Sequence, residues 1–168
     1  VALYVLPLLS SFFGQNERTL FTFLESNETG GLNNHLESKE GYYLPSDLFQ
    51  YFFPSIHDID TSIDGFNAMK LYKSLTTKIP TILEDSNKTD VLRLITLWDL
   101  VGAQSRFKLT TDFIQFALDK TQSEITKCLA ELSAVKAIRF NRVHGYWELL
   151  EGSAFFIEEM IDGQKVIK

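Results

Sequence analysis

Residues 110–150 read TTDFIQFALDKTQSEITKCLAELSAVKAIRFNRVHGYWELL, and the pattern of these residues predicts the fold of the second half of the chain. Its apolar residues recur at three- and four-residue steps in two blocks, which is the pattern of amphipathic helices. The first block predicts a short helix that begins after a Thr110 or Thr111 cap. The second block predicts a helix over 122–135, and a turn of four mostly polar residues separates the two.

A β-hairpin is predicted directly after the second helix. Segments 137–140 and 146–150 are short and rich in β-branched and aromatic residues, and the turn sequence 142–145 contains glycine. A further helix is predicted before them, over 89–102, and the order helix, helix, turn, helix and two-stranded hairpin is typical of a winged helix-turn-helix domain. The sequence therefore predicts that fold for the second half.

The helix predicted just before this unit, over 89–102, is unusually apolar. Only Asp90, Arg93 and Asp99 form a thin polar stripe along it. A helix that is apolar nearly all round is buried on both sides. We therefore expect this helix to lie between the two halves of the chain and to join them.

The first half is predicted to be helical throughout. Apolar periodicity predicts helix over 7–25 with a break at 14–17, a helix that Ser46 caps, and a helix over 63–83. The composition of 26–34 predicts a loop. The predicted fold class is thus mainly α, with a helical subdomain followed by a winged helix-turn-helix domain and its small hairpin.

Composition and charge limit the classes of function. The net charge is -6, with 45% hydrophobic residues and apolar runs too short to span a bilayer, so we expect no membrane contact. The acidic surplus falls within 1–87, whereas 88–151 is close to neutral, which argues against nucleic acid wrapping the whole chain. A single cysteine, Cys128, is typical of a reducing, cytoplasmic compartment.

Nucleic-acid contact by the winged helix is an alternative that the local charges weigh against. The predicted 122–135 helix exposes two carboxylates beside Lys127, and these would repel phosphate. The hairpin is more basic, with Arg139, Arg142 and His144 as candidate contacts. A protein-contact or packing role is the more general interpretation, since a fold does not fix a function.

Motifs for catalysis and metal binding are missing from the sequence pattern. His35, His57 and His144 lie far apart without a cysteine or histidine partner at a metal-ligand spacing. No phosphate-binding loop with its lysine occurs, and no serine has the glycines of a nucleophile elbow. We therefore predict no metal site and no stand-alone enzyme activity.

Three segments carry a resemblance to a known family. Residues 14–24 (GQNERTLFTFL), the apolar run within 92–101, and 146–153 (YWELLEGS) resemble sequences found downstream of the ATPase core in large bacterial P-loop ATPases of the AAA+/STAND kind. In those proteins a helical lid and a winged-helix domain follow the core. The resemblance implies a lid-like subdomain at 1–87, a winged helix at 88–153 and a C-terminal extension at 154–168.

The resemblance also implies where ATP would act. The chain has no Walker lysine, so ATP would bind an upstream core of the same longer protein, and no cofactor is expected in the segment itself. Asn16 and Arg18 are implied contacts to a nucleotide or a partner, with Arg18 as a lid arginine near the γ-phosphate. The simpler interpretation is that Asn16 caps a helix and Arg18 is solvated.

These observations lead to one functional hypothesis and two alternatives. The chain is predicted to be a non-catalytic coupling module that relays the nucleotide state of a bacterial ATP-binding protein to a protein or nucleic-acid partner. The alternatives are a DNA-binding winged-helix regulator and a scaffold that stacks against like modules.

Overall fold

The computed structural model describes residues 1–13, 20–38, 41–55 and 67–150. In this part of the chain the fold is mainly helical, with one small antiparallel sheet. Single 3-10 turns lie at Pro80–Ile82 and Ala103–Ser105. The elements in chain order are α1 (Ala2–Phe13), α2 (Leu20–Glu25), α3 (Leu32–Ser38), α4 (Pro45–Phe52), α5 (Asn67–Lys78), α6 (Ser86–Leu100), α7 (Thr111–Leu118), α8 (Gln122–Ala134), β1 (Ile138–Asn141) and β2 (Tyr146–Leu149).

Helix α6 lies at the centre of the fold. It begins at the Asp85 carboxylate, which accepts hydrogen bonds from the backbone N–H of Asn87 at 2.9 Å and of Lys88 at 3.2 Å. Just beyond its end, Gly102 has a φ of 64°, a left-handed conformation that favours glycine. Its buried residues cover almost the whole circumference: Thr89, Val91, Leu92, Leu94, Ile95, Thr96, Leu97, Trp98 and Leu100.

Elements of both halves pack on α6. Helices α4 and α5 contact it from the first half, and α8, α7 and β2 contact it from the second. Trp98 marks the junction, because its ring lies 6.1 Å from Tyr4 of α1 and 5.3 Å from Phe113 of α7, between ring centroids. One continuous hydrophobic core therefore runs through both halves.

The second half folds in the order that the sequence predicts. Thr110 caps α7, and its hydroxyl accepts from the Phe113 N–H at 3.2 Å. Thr121 and Glu124 form a reciprocal capping box at the start of α8. The strands β1 and β2 pair antiparallel with Ile138 opposite Leu149, and Trp147 donates a further backbone hydrogen bond to the Leu109 carbonyl at 2.9 Å.

The coarse predictions are confirmed: the chain is mainly helical, its apolar helix is buried on both sides, and the hairpin is paired. Helix α6 starts three residues earlier than expected, at Ser86, because Asp85 caps it. The predicted boundary between 87 and 88 therefore falls within its first turn. Pro80 follows the end of α5, as proline's missing N–H and fixed φ favour.

Several local predictions in the first half are wrong. The first helix begins at Ala2 rather than residue 7, and the helix predicted over 63–83 ends at Lys78. The predicted loop 26–34 ends inside α3, which begins at Leu32 despite two asparagines of low helix propensity. Ser46 does not cap α4. The helix begins two residues earlier than that cap implies, at Pro45, and the Asp47 carboxylate accepts from the Leu44 N–H at 3.1 Å instead.

Candidate functional site

The first pair of predicted site residues lies outside the described part of the chain. Asn16 and Arg18 belong to 14–19, as does most of the motif that carries the family resemblance. Their roles as nucleotide or partner contacts therefore stay predictions.

Two of the predicted nucleic-acid contacts are paired with carboxylates. Lys127 is 77% exposed on α8, and its Nζ lies 3.9 Å from Oε1 of Glu131, one turn along the helix. Arg139 on β1 donates from Nε to Oε1 of Glu148 at 2.7 Å across the hairpin. These carboxylates reduce the positive potential that a phosphate backbone requires.

The other two predicted contacts lie at the turn of the hairpin. Arg142 and His144 are both exposed, and the His144 ring stacks on Tyr146 with 5.9 Å between centroids and 15° between planes. Asn141 shapes this turn, because its side-chain oxygen accepts from the N–H groups of Val143 and His144, each at 3.1 Å. The structure thus brings Arg139, Arg142 and His144 onto one hairpin and leaves Lys127 on α8.

The hairpin is attached to the end of α6 and the turn after it by partly buried hydrogen bonds that the sequence did not predict. Gln104 donates to the Trp147 carbonyl at 3.0 Å and accepts from the Leu109 N–H at 3.0 Å. The Asp99 carboxylate on α6 accepts from the Leu149 N–H at 3.4 Å. These bonds fix the position of β2 relative to the central helix.

Asp99 is an unusual group at this junction. Its pKa is raised to about 6, mainly by burial and to a smaller extent by the nearby Glu148 carboxylate, whereas hydrogen bonds from Leu149 and Gln104 act in the opposite direction. A cavity of about 400 Å³ borders it, with Leu71 of α5 on one wall and Arg139 of β1 on another. Asp99 was recognisable in the sequence as part of the polar stripe, but its partners were not.

A second polar cluster lies where α3, α4 and α6 meet. A cleft of about 320 Å³ is bordered by His35, Asp47, Asp90 and Arg93. Burial raises the pKa of Asp90, while Ser46 and the cations Lys120 and Arg93 lower it. The Arg93 guanidinium lies 5.5 Å from the centre of the Phe49 ring, in cation–π geometry.

An exposed aromatic groove lies beside this cleft. It has a volume of about 690 Å³ and runs between the segment 42–44 and the outer side of α7. Phe116 of α7 and Tyr42 face solvent there. The apolar periodicity of α7 places Phe116 with its core residues, so sequence reasoning missed this surface.

The described residues include neither an activated cysteine nor a cluster of metal ligands. Cys128 is buried and burial raises the pKa of its thiol, so it is held in the poorly nucleophilic protonated form. Within 1–13, 20–38, 41–55 and 67–150, no three His, Cys, Asp or Glu residues are placed to hold a metal ion. Over the same residues, none of the helices is both long and apolar enough to cross a bilayer.

Comparison with protein families, curated proteins and solved structures found no match for the chain. The resemblance to AAA+/STAND ATPases therefore stays a prediction from the residues that carry it. The geometry of the α6 junction, the hairpin and the exposed groove is what bears on function.

Proposed function

We propose that the chain is a non-catalytic coupling module of a larger ATP-binding protein, in which a winged-helix unit moves together with the helical first half. The observation that carries this proposal is the burial of α6 between elements of both halves. Protein cores are close-packed, so they transmit displacement rather than absorb it. A change imposed on α4 or α5 would therefore move α8 and the hairpin as one unit.

Specific polar contacts support the same proposal. Lys88 at the start of α6 pairs with Glu131 of α8 at 2.7 Å, and Asp99 near its other end bonds the backbone of β2. The second half is thus attached near both ends of α6 as well as along its apolar faces. Rotation of α8 relative to α6 would break the first contact, and lifting of the hairpin would break the second.

The proposal is tested by joining the chain to its native upstream segment and measuring hydrogen exchange with and without ATP. We expect ATP to change the protection of amides in α6 and in α8 in the same direction. Unchanged exchange across 86–100 on ATP binding would contradict the coupling role. A matched sample with a non-binding nucleotide analogue controls for ionic effects.

A second candidate function is nucleic-acid contact by the hairpin, favoured by the exposure of Arg142 and His144 at its turn. If the hairpin contacts nucleic acid, Arg142→Ala weakens binding to a DNA duplex in a gel-shift titration. The variant also makes the affinity depend less steeply on salt concentration. Val143→Ala, next to it and also exposed, is the matched control. Lack of binding at low salt removes this candidate and leaves the protein-contact role.

A further inference from the structure

The groove beside α7 exposes two large aromatic side chains to solvent. Phe116 is 74% exposed and Tyr42 is 76% exposed, and both border the cavity of about 690 Å³ described above. The opposite side of α7 is already occupied, because Ile114, Ala117 and Leu118 pack into the core. Exposed aromatic rings on the walls of a concave surface are a mark of a protein-contact site.

Two carboxylates border the groove together with the exposed ring. Asp112 lies in the first turn of α7, four residues before Phe116, and Asp119 directly follows the last residue of the helix, with a left-handed φ of 51°. Neither carboxylate has an ion-pair partner among the described residues. A ligand that enters this part of the groove therefore meets an aromatic ring between two unpaired negative charges.

The acidic character continues along the groove. Tyr42 and Leu44 border both this groove and the polar cleft, which adds the carboxylates of Asp47 and Asp90. Lys120 also borders the groove and Arg93 borders the cleft, so the four carboxylates of Asp112, Asp119, Asp47 and Asp90 stand against two cationic side chains. The combined surface thus carries a surplus of negative charge around an apolar centre.

We propose that the groove formed by Tyr42 and α7 binds a segment of a partner protein that presents a large apolar side chain flanked by lysine or arginine. The apolar side chain packs between Phe116 and Tyr42, and the basic residues pair with Asp112 and Asp119. Removal of apolar area from water provides affinity, and charge complementarity provides selectivity for a basic partner. This inference rests on the proposed function, because it names the surface and the chemistry of the partner to which the module couples.

The charges argue against other occupants. In a symmetric dimer about Phe116, the same carboxylates of both copies would come together and repel each other. A phosphate backbone or an anionic membrane would meet the same repulsion. A basic peptide segment is the occupant that both the rings and the carboxylates favour.

The test is selection of a displayed library of random short peptides on the immobilised chain. We expect the enriched peptides to carry an aromatic or large aliphatic residue with neighbouring lysine or arginine. Their affinity should fall at least about tenfold on Phe116→Ser, which corresponds to about 1.4 kcal/mol. Val143→Ser, at an 88% exposed apolar position on the hairpin turn, should leave affinity unchanged.

Reversal of charge separates the proposed contact from a structural effect. The double variant Asp112→Lys, Asp119→Lys should enrich acidic peptides in place of basic ones, while its circular dichroism spectrum stays that of the wild type. Enrichment without a charge preference, equal binding to Phe116→Ser, or failure to enrich any peptide would overturn the proposal. A dimer in light scattering that Phe116→Ser dissociates would assign the groove to a second copy instead.

The outcome for the groove is distinguishable from the outcome for the proposed function. The coupling role is read from hydrogen exchange in α6 and α8, which does not require a peptide in the groove. If peptide selection fails while ATP still changes hydrogen exchange in α6, the coupling role is supported. Only the assignment of the groove as the partner-binding surface is then wrong. If both fail, the coupling role itself is contradicted.

Discussion

Replacement of Trp98 by alanine is expected to lower the free energy of unfolding by about 3–5 kcal/mol, the range for deletion of a large buried aromatic side chain. The side chain is 1% exposed, and its indole N–H donates to the Phe107 carbonyl at 2.6 Å. Alanine leaves a cavity between Tyr4 and Phe113 and an unpaired carbonyl beside it. Urea unfolding followed by far-ultraviolet circular dichroism measures the loss.

Two further variants make this result interpretable. Trp98→Phe keeps an aromatic ring in the core and removes the indole N–H, so it should cost less than alanine and stay folded if alanine does not. Phe116→Ala removes an exposed ring and should change stability by less than about 0.5 kcal/mol. A loss under about 1 kcal/mol for Trp98→Ala would show that α6 is not packed as described.

Replacement of Asp99 by asparagine is expected to stabilise the protein at neutral and alkaline pH. Burial raises the pKa of Asp99 from 3.8 to about 6 on folding, so the folded state binds the proton more tightly than the unfolded state. The unfolding free energy contributed by this group is therefore highest below pH 4 and is lost as the pH rises through 6. A shift of this size corresponds to about 3 kcal/mol. The effect appears in urea unfolding at pH 7.5 and at pH 4.5.

Asparagine removes this dependence because it does not ionise and still offers an oxygen to the Leu149 N–H. We expect Asp99→Asn to exceed the wild type by about 2–3 kcal/mol at pH 7.5, with a smaller difference at pH 4.5. Arg139 and Glu148 face the same cavity, so both must be kept intact in this comparison. Glu84→Gln, at an exposed position, is the control. A variant less stable than the wild type at pH 7.5 would contradict this account of Asp99.

The features that sequence predicts well are those with dense local patterns. Helix α6 is recognisable because eight of the eleven positions from Val91 to Val101 are apolar, which predicts burial on both sides. The hairpin is recognisable from short apolar segments around Gly145, whose φ of 76° suits a tight turn. Both elements can be predicted because residues close together in the sequence determine them.

The features that sequence misses depend on contacts between distant residues. His35 and Arg93 meet in one cleft only because α3 and α6 both pack near α4, and nothing in their spacing indicates it. Gln104 bonds the backbone of Trp147, 43 positions along the chain, and glutamine there carries no sequence signal. Phe116 fits the apolar period of α7 yet is exposed, because periodicity identifies a candidate core face without showing what covers it.

Native-state hydrogen exchange of the chain tests most directly whether α6 joins the two halves into one cooperative unit. Under increasing sub-denaturing urea, the slowest amides of α5 and of α8 are expected to converge on one opening free energy, equal to that of global unfolding. Trp98→Phe should lower both values by the same amount. Two separate opening free energies, with α8 and the hairpin protected while α4 and α5 exchange, would contradict the account.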